Sequence, residues 1–211
     1  MNAGFSNLAF LKKQLLAKSA SSDTRFDDLI AAIGLGVAGQ FENSCNRKFN
    51  RQANCVECFP ADHAEFIPER LPLESVSLVE LKVRESDGWV TQTDPNFIRA
   101  LNLENGIIDC GPGDAGPYYA QLRFTYTGGY FWEQLEPDDA AFPSPLPAGA
   151  APLPAALSNA WLLQCRHIWG NLDKLGLDLL KSADVKSLRF PEDFAPTVEK
   201  TISEYIRYTL V

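Results

Sequence analysis

Apolar residues recur at steps of three and four near both ends of the chain, a period that predicts amphipathic helices. A capping box at Thr24 and Asp27 opens the longest stripe, and we expect a helix over 24–47. Shorter stripes predict helices over 5–20 and 155–173. The stripe of the longest helix consists of Phe26, Leu29, Ile30, Ile33, Val37, Phe41 and Cys45.

Between residues 56 and 130 the apolar period changes to two. Apolar and charged residues alternate strictly from Val79 to Arg84, which predicts a strand with one buried and one wet face. Asp87-Gly88 and Asn105-Gly106 are dipeptides that tight hairpin turns prefer. The middle of the chain is therefore predicted to form a small antiparallel sheet.

Two further segments complete the predicted architecture. Residues 136–154 are rich in Pro and Ala and read as an extended connector. The tail over 174–211 is mixed in pattern and ends in another predicted helix. We expect an α+β chain, mainly a helical bundle with an inserted small antiparallel sheet and a C-terminal helical extension. The expected division is one domain over 1–173 and the extension over 174–211.

Composition and charge narrow the classes of protein. The 211 residues are 45% hydrophobic, and the net charge of -8 argues against a protein whose task is to grip nucleic acid. The longest apolar stretch, Leu29–Gly39, is too short to span a bilayer, so we expect no membrane segment. Lys12 and Lys13 interrupt the candidate signal-peptide core, and an odd cysteine count favours reduced thiols in a cytoplasm.

The segment Gly34–Gly39 has the spacing G-x-G-x-x-G found in dinucleotide sites. That motif must follow a strand and open a helix, whereas here it lies inside a helical stripe. The alternative is that its small residues let another helix approach closely. The sequence favours this packing role.

Cys45, Cys55, Cys58 and His63 have the character of metal ligands, because thiolates and an imidazole can complete a tetrahedral zinc shell. A small zinc-stabilised binding module is therefore an alternative. The competing interpretation is a set of unliganded cysteines around a loop, since no second tight pair of ligands follows.

Catalysis finds little support in the residue pattern. The sequence contains two histidines, His63 and His167, and neither lies in a recognisable frame with a nucleophile. His167 is expected to pack or cap within its helix. An enzyme of unrecognised class is the weakest alternative, and we expect no catalytic residue and no cofactor.

Four short segments, in this order and spacing, resemble the head-tail connector (adaptor, or head-completion) proteins of long-tailed bacteriophages. The segments are Cys45-Asn46-Arg47-Lys48-Phe49, Leu71-Pro72-Leu73-Glu74-Ser75-Val76, Phe124-Thr125-Tyr126-Thr127-Gly128-Gly129-Tyr130 and Pro152-Leu153-Pro154-Ala155-Ala156-Leu157. The long sheet region, the long connector and the tail depart from the simplest pattern of that family.

The resemblance implies a structural protein without enzymatic activity. Its expected form is a homo-oligomeric ring of twelve copies between the portal and the next neck, stopper or tail protein. Genome DNA would pass through the ring without sequence-specific binding. The implied location is the neck of the virion, after assembly in the host cytoplasm.

Two groups of residues are candidates for these contacts. Phe131, Trp132 and Phe142 are candidates for contact with a neighbouring subunit or neck protein, or else they cover their own core. An amphipathic helix over 194–211 is expected either to dock on the portal or to pack back on its own domain. Its candidate residues are Phe194, Val198, Ile202, Tyr205, Ile206 and Leu210.

Overall fold

The computed structural model describes residues 8–16, 24–61, 64–84, 86–110, 121–131, 145–171 and 194–207. The chain divides into two compact units. In the described residues, the helical unit comprises the chain up to Asn46 and from Leu153 to Arg207, and the sheet unit comprises the chain between them. The predicted boundary between 173 and 174 lies outside the described residues. None of the described helices is long and apolar enough to cross a membrane.

The helical unit contains four helices in its described part. They are α1 (Leu8–Leu15), α2 (Asp27–Cys45), α3 (Ala155–Gly170) and α4 (Pro196–Ser203). α2 supplies much of the core, because its apolar stripe is buried from Ile30 to Cys45. α3 buries Leu157, Trp161, Cys165 and Ile168.

The sheet unit contains nine strands in its described part. They are β1 (Gln52–Pro60), β2 (Glu65–Phe66), β3 (Leu73–Lys82), β4 (Val90–Thr91), β5 (Ala100–Asn102), β6 (Ile107–Asp109), β7 (Gln121–Gly128), β8 (Tyr130–Phe131) and β9 (Ala151–Pro152). The strands form a four-stranded sheet in the order β1-β7-β3-β4, a three-stranded sheet in the order β2-β6-β5, and the pair β8-β9. The first two sheets are antiparallel, and the pair is parallel.

The prediction of a mainly helical bundle is wrong. Strands make up about 30% of the structure, so the fold is α+β with a substantial sheet component. Six of the nine described strands contain only two or three residues. Such strands are too short to show an alternating pattern, and the sequence analysis therefore underestimated the sheet.

The sheet unit has a core of its own, between the two antiparallel sheets. The strand register places Val79 opposite Phe124 and Leu81 opposite Leu122, and all four side chains are buried. Phe66 of β2 lies 5.4 Å from Phe124, measured between ring centroids. The buried cluster consists of Cys55, Ala61, Phe66, Leu71, Leu73, Val79, Leu81, Phe97, Ile108, Cys110, Leu122, Phe124 and Tyr126.

Both predicted hairpins are present. β5 and β6 pair across the turn that contains Gly106, whose φ of +69° favours glycine. β3 and β4 pair across a longer loop, in which the Asp87 carboxylate accepts a hydrogen bond from the Arg84 amide at 3.0 Å. The dipeptide signals therefore identified real turns.

Candidate interaction surfaces

The glycine motif belongs to the interior of α2 and forms no nucleotide site. Gly34 is buried, and the indole Nε1 of Trp161 on α3 donates a hydrogen bond to its carbonyl oxygen at 3.1 Å. The indole of α3 therefore reaches the α2 backbone at Gly34. The packing role is the one that the structure supports.

The proposed zinc ligands do not come together in the described residues. Cys55 and Cys58 lie three residues apart on β1, so they point to opposite faces of the sheet, one buried and one exposed. Cys45 belongs to the helical unit, where its thiol donates to the Ile202 carbonyl at 3.4 Å. No group of three metal-binding side chains occurs in the described part of the chain, and His63 lies outside it.

Burial favours the neutral form of three thiols, those of Cys55, Cys110 and Cys165. Burial raises the pKa of Cys110 to about 12 and also raises the pKa values of Cys55 and Cys165. Because the thiolate is the reactive form, these three side chains are poor nucleophiles. His167 is exposed in the last turn of α3, where Asn171 Nδ2 donates to its carbonyl at 2.7 Å and ends the helix.

Three of the four segments that carry the family resemblance meet at one point of the sheet unit. The Arg47 guanidinium donates to the Leu71 carbonyl and lies over the rings of Phe49 and Tyr130, at 5.0 and 5.5 Å from their centroids. The amide of Gly129 donates to the Pro72 carbonyl at 2.9 Å. We call this set of residues the junction cluster.

The fourth segment, which begins at Pro152, starts beside the junction cluster, because Pro152 belongs to β9. Phe131 pairs with Pro152 in the parallel β8-β9 ladder. A side chain at Gly129 would collide with the backbone of Asn50, and its φ of +94° also favours glycine. The sequence analysis found these segments one by one but gave no sign that they converge.

The predicted subunit-contact residues are only partly described. Phe131 is half-buried, and the Arg51 guanidinium lies 5.5 Å from the centroid of its ring. Arg51 is itself fixed by two hydrogen bonds to the Glu74 carboxylate, at 2.7 and 3.0 Å. Trp132 and Phe142 lie outside the described residues.

The predicted portal-docking residues divide into two groups. Val198 and Ile202 are buried in the helical unit, and Phe194 contacts Phe41 edge to face at 5.5 Å. Ile206 is exposed, and Tyr205 is partly buried. Leu210 lies outside the described residues. α4 therefore packs on its own unit, which leaves Ile206 accessible.

The outer face of the four-stranded sheet was not predicted from the sequence. The register places exposed Val56 and Leu78 on either side of Thr125 in one cross-strand row. The signal was an apolar residue, Val56, in a strand that also carries Cys55 and Phe59 on its opposite face.

In the next row of that face, the charges are paired. Arg123 donates two hydrogen bonds to the Glu80 carboxylate, at 2.7 and 2.8 Å. These hydrogen bonds hold the pKa of Glu80 below its usual value. The Arg123 guanidinium also lies 4.3 Å from the centroid of the Trp89 ring. The outer face is thus uncharged in the row of Val56, Thr125 and Leu78, and in the next row the charges of Arg123 and Glu80 neutralise each other.

Comparison with solved structures identifies the fold. The chain aligns over 100% of its length with 94% of a chain from "Neck of empty GTA particle computed with C6 symmetry", at 10% identity and a TM-score of 0.54. GTA stands for gene transfer agent.

Two further chains align less well. They come from the virion of the native gene transfer agent particle and from its neck computed with C12 symmetry, with TM-scores of 0.48 and 0.46 at 10% identity. They cover 99% of this chain and 93% and 92% of their own lengths. No protein-family model and no curated protein matches the sequence. The resemblance to neck and connector proteins is confirmed at the level of the fold, which this chain shares with a chain from the neck of a phage-like particle.

Proposed function

We propose that the chain is a structural neck protein of a phage-like particle, an adaptor between the portal and the next neck or tail component. The end-to-end alignment with a chain from such a neck is the observation that carries the proposal. A match over nearly the whole of both chains concerns the complete arrangement of helices and sheets, whereas a small common motif would align over part of each chain.

The chemistry of the described residues agrees with a structural role. The unusual pKa values belong to groups that are buried in cores or held in ion pairs. The junction cluster brings together the segments that carry the resemblance, and its contacts fix backbone positions. Such a construction supplies shape and stiffness, the properties that an assembly component needs.

The proposed assembly is a homo-oligomeric ring of twelve copies. The similar chain comes from a neck computed with C6 symmetry, with which a ring of twelve is compatible. A closed ring requires two different complementary patches on each subunit. The net charge of -8 would repel phosphate from the wall of the channel, which lets genome DNA pass without adhering.

In this proposal the portal contacts the C-terminal residues that α4 leaves accessible, beginning with Ile206. The opposite face of the ring receives the next neck, stopper or tail protein. Contacts between subunits or with that protein involve the aromatic candidates Phe131, Trp132 and Phe142. The ring joins the portal in the host cytoplasm and remains in the virion neck.

Imaging of particles tests the proposal directly. Particles that carry a small tag on this chain should show additional density at the junction of head and tail, repeated around the channel. Particles made without the chain should retain a portal but lack the components beyond it. A tagged chain that is missing from purified particles, or located elsewhere in them, would overturn the proposal.

A further inference from the structure

β1 is an outermost strand of the four-stranded sheet. It pairs with β7 on one side, and no strand lies on its other side in the described residues. In an antiparallel pair, every second residue directs its N–H and C=O groups away from the partner strand. β1 therefore presents a row of backbone donors and acceptors along its outer edge.

The protection that edge strands usually carry lies at the two ends of β1, where a bulge follows Gln52 and Pro60 ends the strand, and it leaves a stretch of five residues between them. Exposed sheet edges are commonly blunted by lysine, by proline, or by very short strands. The nine-residue β1 has a positive-φ residue, Asn54, near one end and Pro60 at the other, and the stretch from Cys55 to Phe59 contains neither lysine nor proline. An edge of this kind is suited to pairing with another strand.

The side chains beside the edge are uncharged on the outer face. Val56 is 60% exposed, and the same row continues through Thr125 to exposed Leu78. The one carboxylate of β1, Glu57, points to the inner side, where it accepts hydrogen bonds from the Tyr126 hydroxyl at 2.8 Å and the Glu69 amide at 3.0 Å. A second acidic chain can approach here without like-charge repulsion.

The opposite edge of the same sheet is different and also uncharged. β4 is its last strand and has only two residues, so pairing there is confined to Val90, which is 64% exposed, and the exposed Thr91. Two different edges on one sheet satisfy the requirement of a head-to-tail interface, which can close into a ring. Pairing of β1 with β1 would instead produce a closed dimer with two-fold symmetry.

We propose that neighbouring copies of this chain pair edge to edge, with β1 of one copy beside β4 of the next, so that the sheet continues from subunit to subunit. This inference rests on the proposed ring. It assigns the interface between copies to backbone pairing, with Val56 and Val90 at its two sides.

Two single variants and their mixture test the inference. Val56→Lys and Val90→Lys place a charge at one edge each, at positions exposed enough to leave the melting temperature within a few degrees. The wild-type mass is measured by light scattering over a wide concentration range, alone and with purified portal rings. Leu163→Lys, at an exposed apolar position of α3, is the matched control.

We expect wild type and Leu163→Lys to form rings and each edge variant to remain monomeric. An equal mixture of the two edge variants should form dimers but no rings, because each variant retains the edge that the other lacks. Amides of 55–59 should exchange with deuterium quickly in the edge variants and slowly in wild-type rings.

Three results would overturn the inference. If both edge variants formed rings, the edge interface would be ruled out and the proposed function would stand. Slow exchange of residues 55–59 in a monomer would have the same consequence, because it would show that the same chain covers β1. Disruption by Val56→Lys alone, with Val90→Lys assembling normally, would indicate a different occupant. A wild-type chain that forms no oligomer in either condition would contradict the ring as well.

Discussion

Arg47 shows how one side chain can fix several backbone segments. Arg47 is buried, and its guanidinium donates to the Leu71 carbonyl and lies over the rings of Phe49 and Tyr130. A planar cation with several donors can stack on rings and donate hydrogen bonds at the same time, which a lysine ammonium cannot do in the same geometry. The residue therefore holds together the segment that leads into β3 and the start of β8.

We expect Arg47→Lys to destabilise the chain by about 2–3 kcal/mol, because a charged hydrogen bond and two ring contacts are weakened in a buried site. Urea unfolding monitored by tryptophan fluorescence measures the loss. Arg84→Lys, at an exposed position, is the control and should change stability by less than about 0.5 kcal/mol. Equal effects of the two variants would show that the junction cluster contributes nothing specific.

Because the Cys110 thiol is buried, we expect the protein to lose stability in alkaline solution. Its ordinary pKa is 9.0, and burial raises the folded value to about 12. Above about pH 9 the unfolded chain releases the thiol proton while the folded chain retains it. The stabilising contribution is therefore complete below pH 9 and is lost as the pH rises toward 12.

The urea midpoint should thus fall between pH 9 and 12, and Cys110→Ala should reduce the steepness of that fall. Other buried acidic groups, Cys165 and Tyr126 among them, contribute to the same decline. The comparison of wild type with the variant isolates Cys110. Identical pH profiles for the two proteins would contradict the assignment.

At the scale of elements, the length of each periodic segment decided what could be predicted. α2 has 19 residues and β7 has eight, and their periods of 3.6 and two were readable. β2, β5 and β6 have two or three residues each; β2 and β5 pair with β6, and Phe66 of β2 and Ile108 of β6 are buried in the core. Burial of that kind is a tertiary effect that no local pattern contains.

For the candidate surfaces too, the local pattern was visible in the sequence but the tertiary contacts were not. The apolar stripe that begins at Phe194 was visible in the sequence, but Phe41 and Gln164, which contact the two residues before α4, are distant along the chain. Phe194 meets Phe41, and the Gln164 side chain accepts a hydrogen bond from the Ala195 amide at 3.1 Å. Whether an amphipathic stripe faces its own unit or a partner depends on such contacts, so the sequence left both alternatives open.

α4 allows stability and portal binding to be separated. Val198→Ala removes buried methyl groups, so it should lower the free energy of unfolding by about 1–3 kcal/mol. Ile206→Asp changes an exposed residue, so it should leave stability unchanged and weaken binding to purified portal rings at least tenfold. Unfolding curves and a portal pull-down measure the two quantities.

Leu163→Asp, on the exposed side of α3, is the control for the charge introduced by Ile206→Asp. Full portal binding by Ile206→Asp would remove the C-terminal segment from the proposed portal contact. A strongly destabilised Ile206→Asp would show instead that this residue belongs to the core.

For the whole molecule, the distribution of charge predicts that the chain does not bind DNA. Between Trp132 and Ser144 the sequence contains four acidic residues and no basic one, and the chain as a whole carries -8. A surface of this charge gains no counterion release on meeting duplex DNA. The chain should therefore leave the anisotropy of labelled duplex DNA unchanged, even at low salt.

A variant with lysine at Glu136, Asp138 and Asp139 is the positive control, and it should bind DNA more strongly as salt is lowered. Salt-dependent binding by the wild-type chain would contradict a role as a non-adhesive conduit. It would favour a protein that holds the genome end.

In the part of the chain that the structure describes, the helical unit consists of a stretch before and a stretch after the sheet unit, and this sets an order of events on the ribosome. All described strands have been synthesised once Pro152 has emerged, whereas α4 emerges only after a further stretch that ends near Arg207. At elongation rates of about 5–20 residues per second, that stretch takes roughly 3–11 seconds. During that interval the nascent α2 lacks the partners that cover Phe41 and Cys45, so a chaperone that binds newly made apolar helices has its main opportunity there.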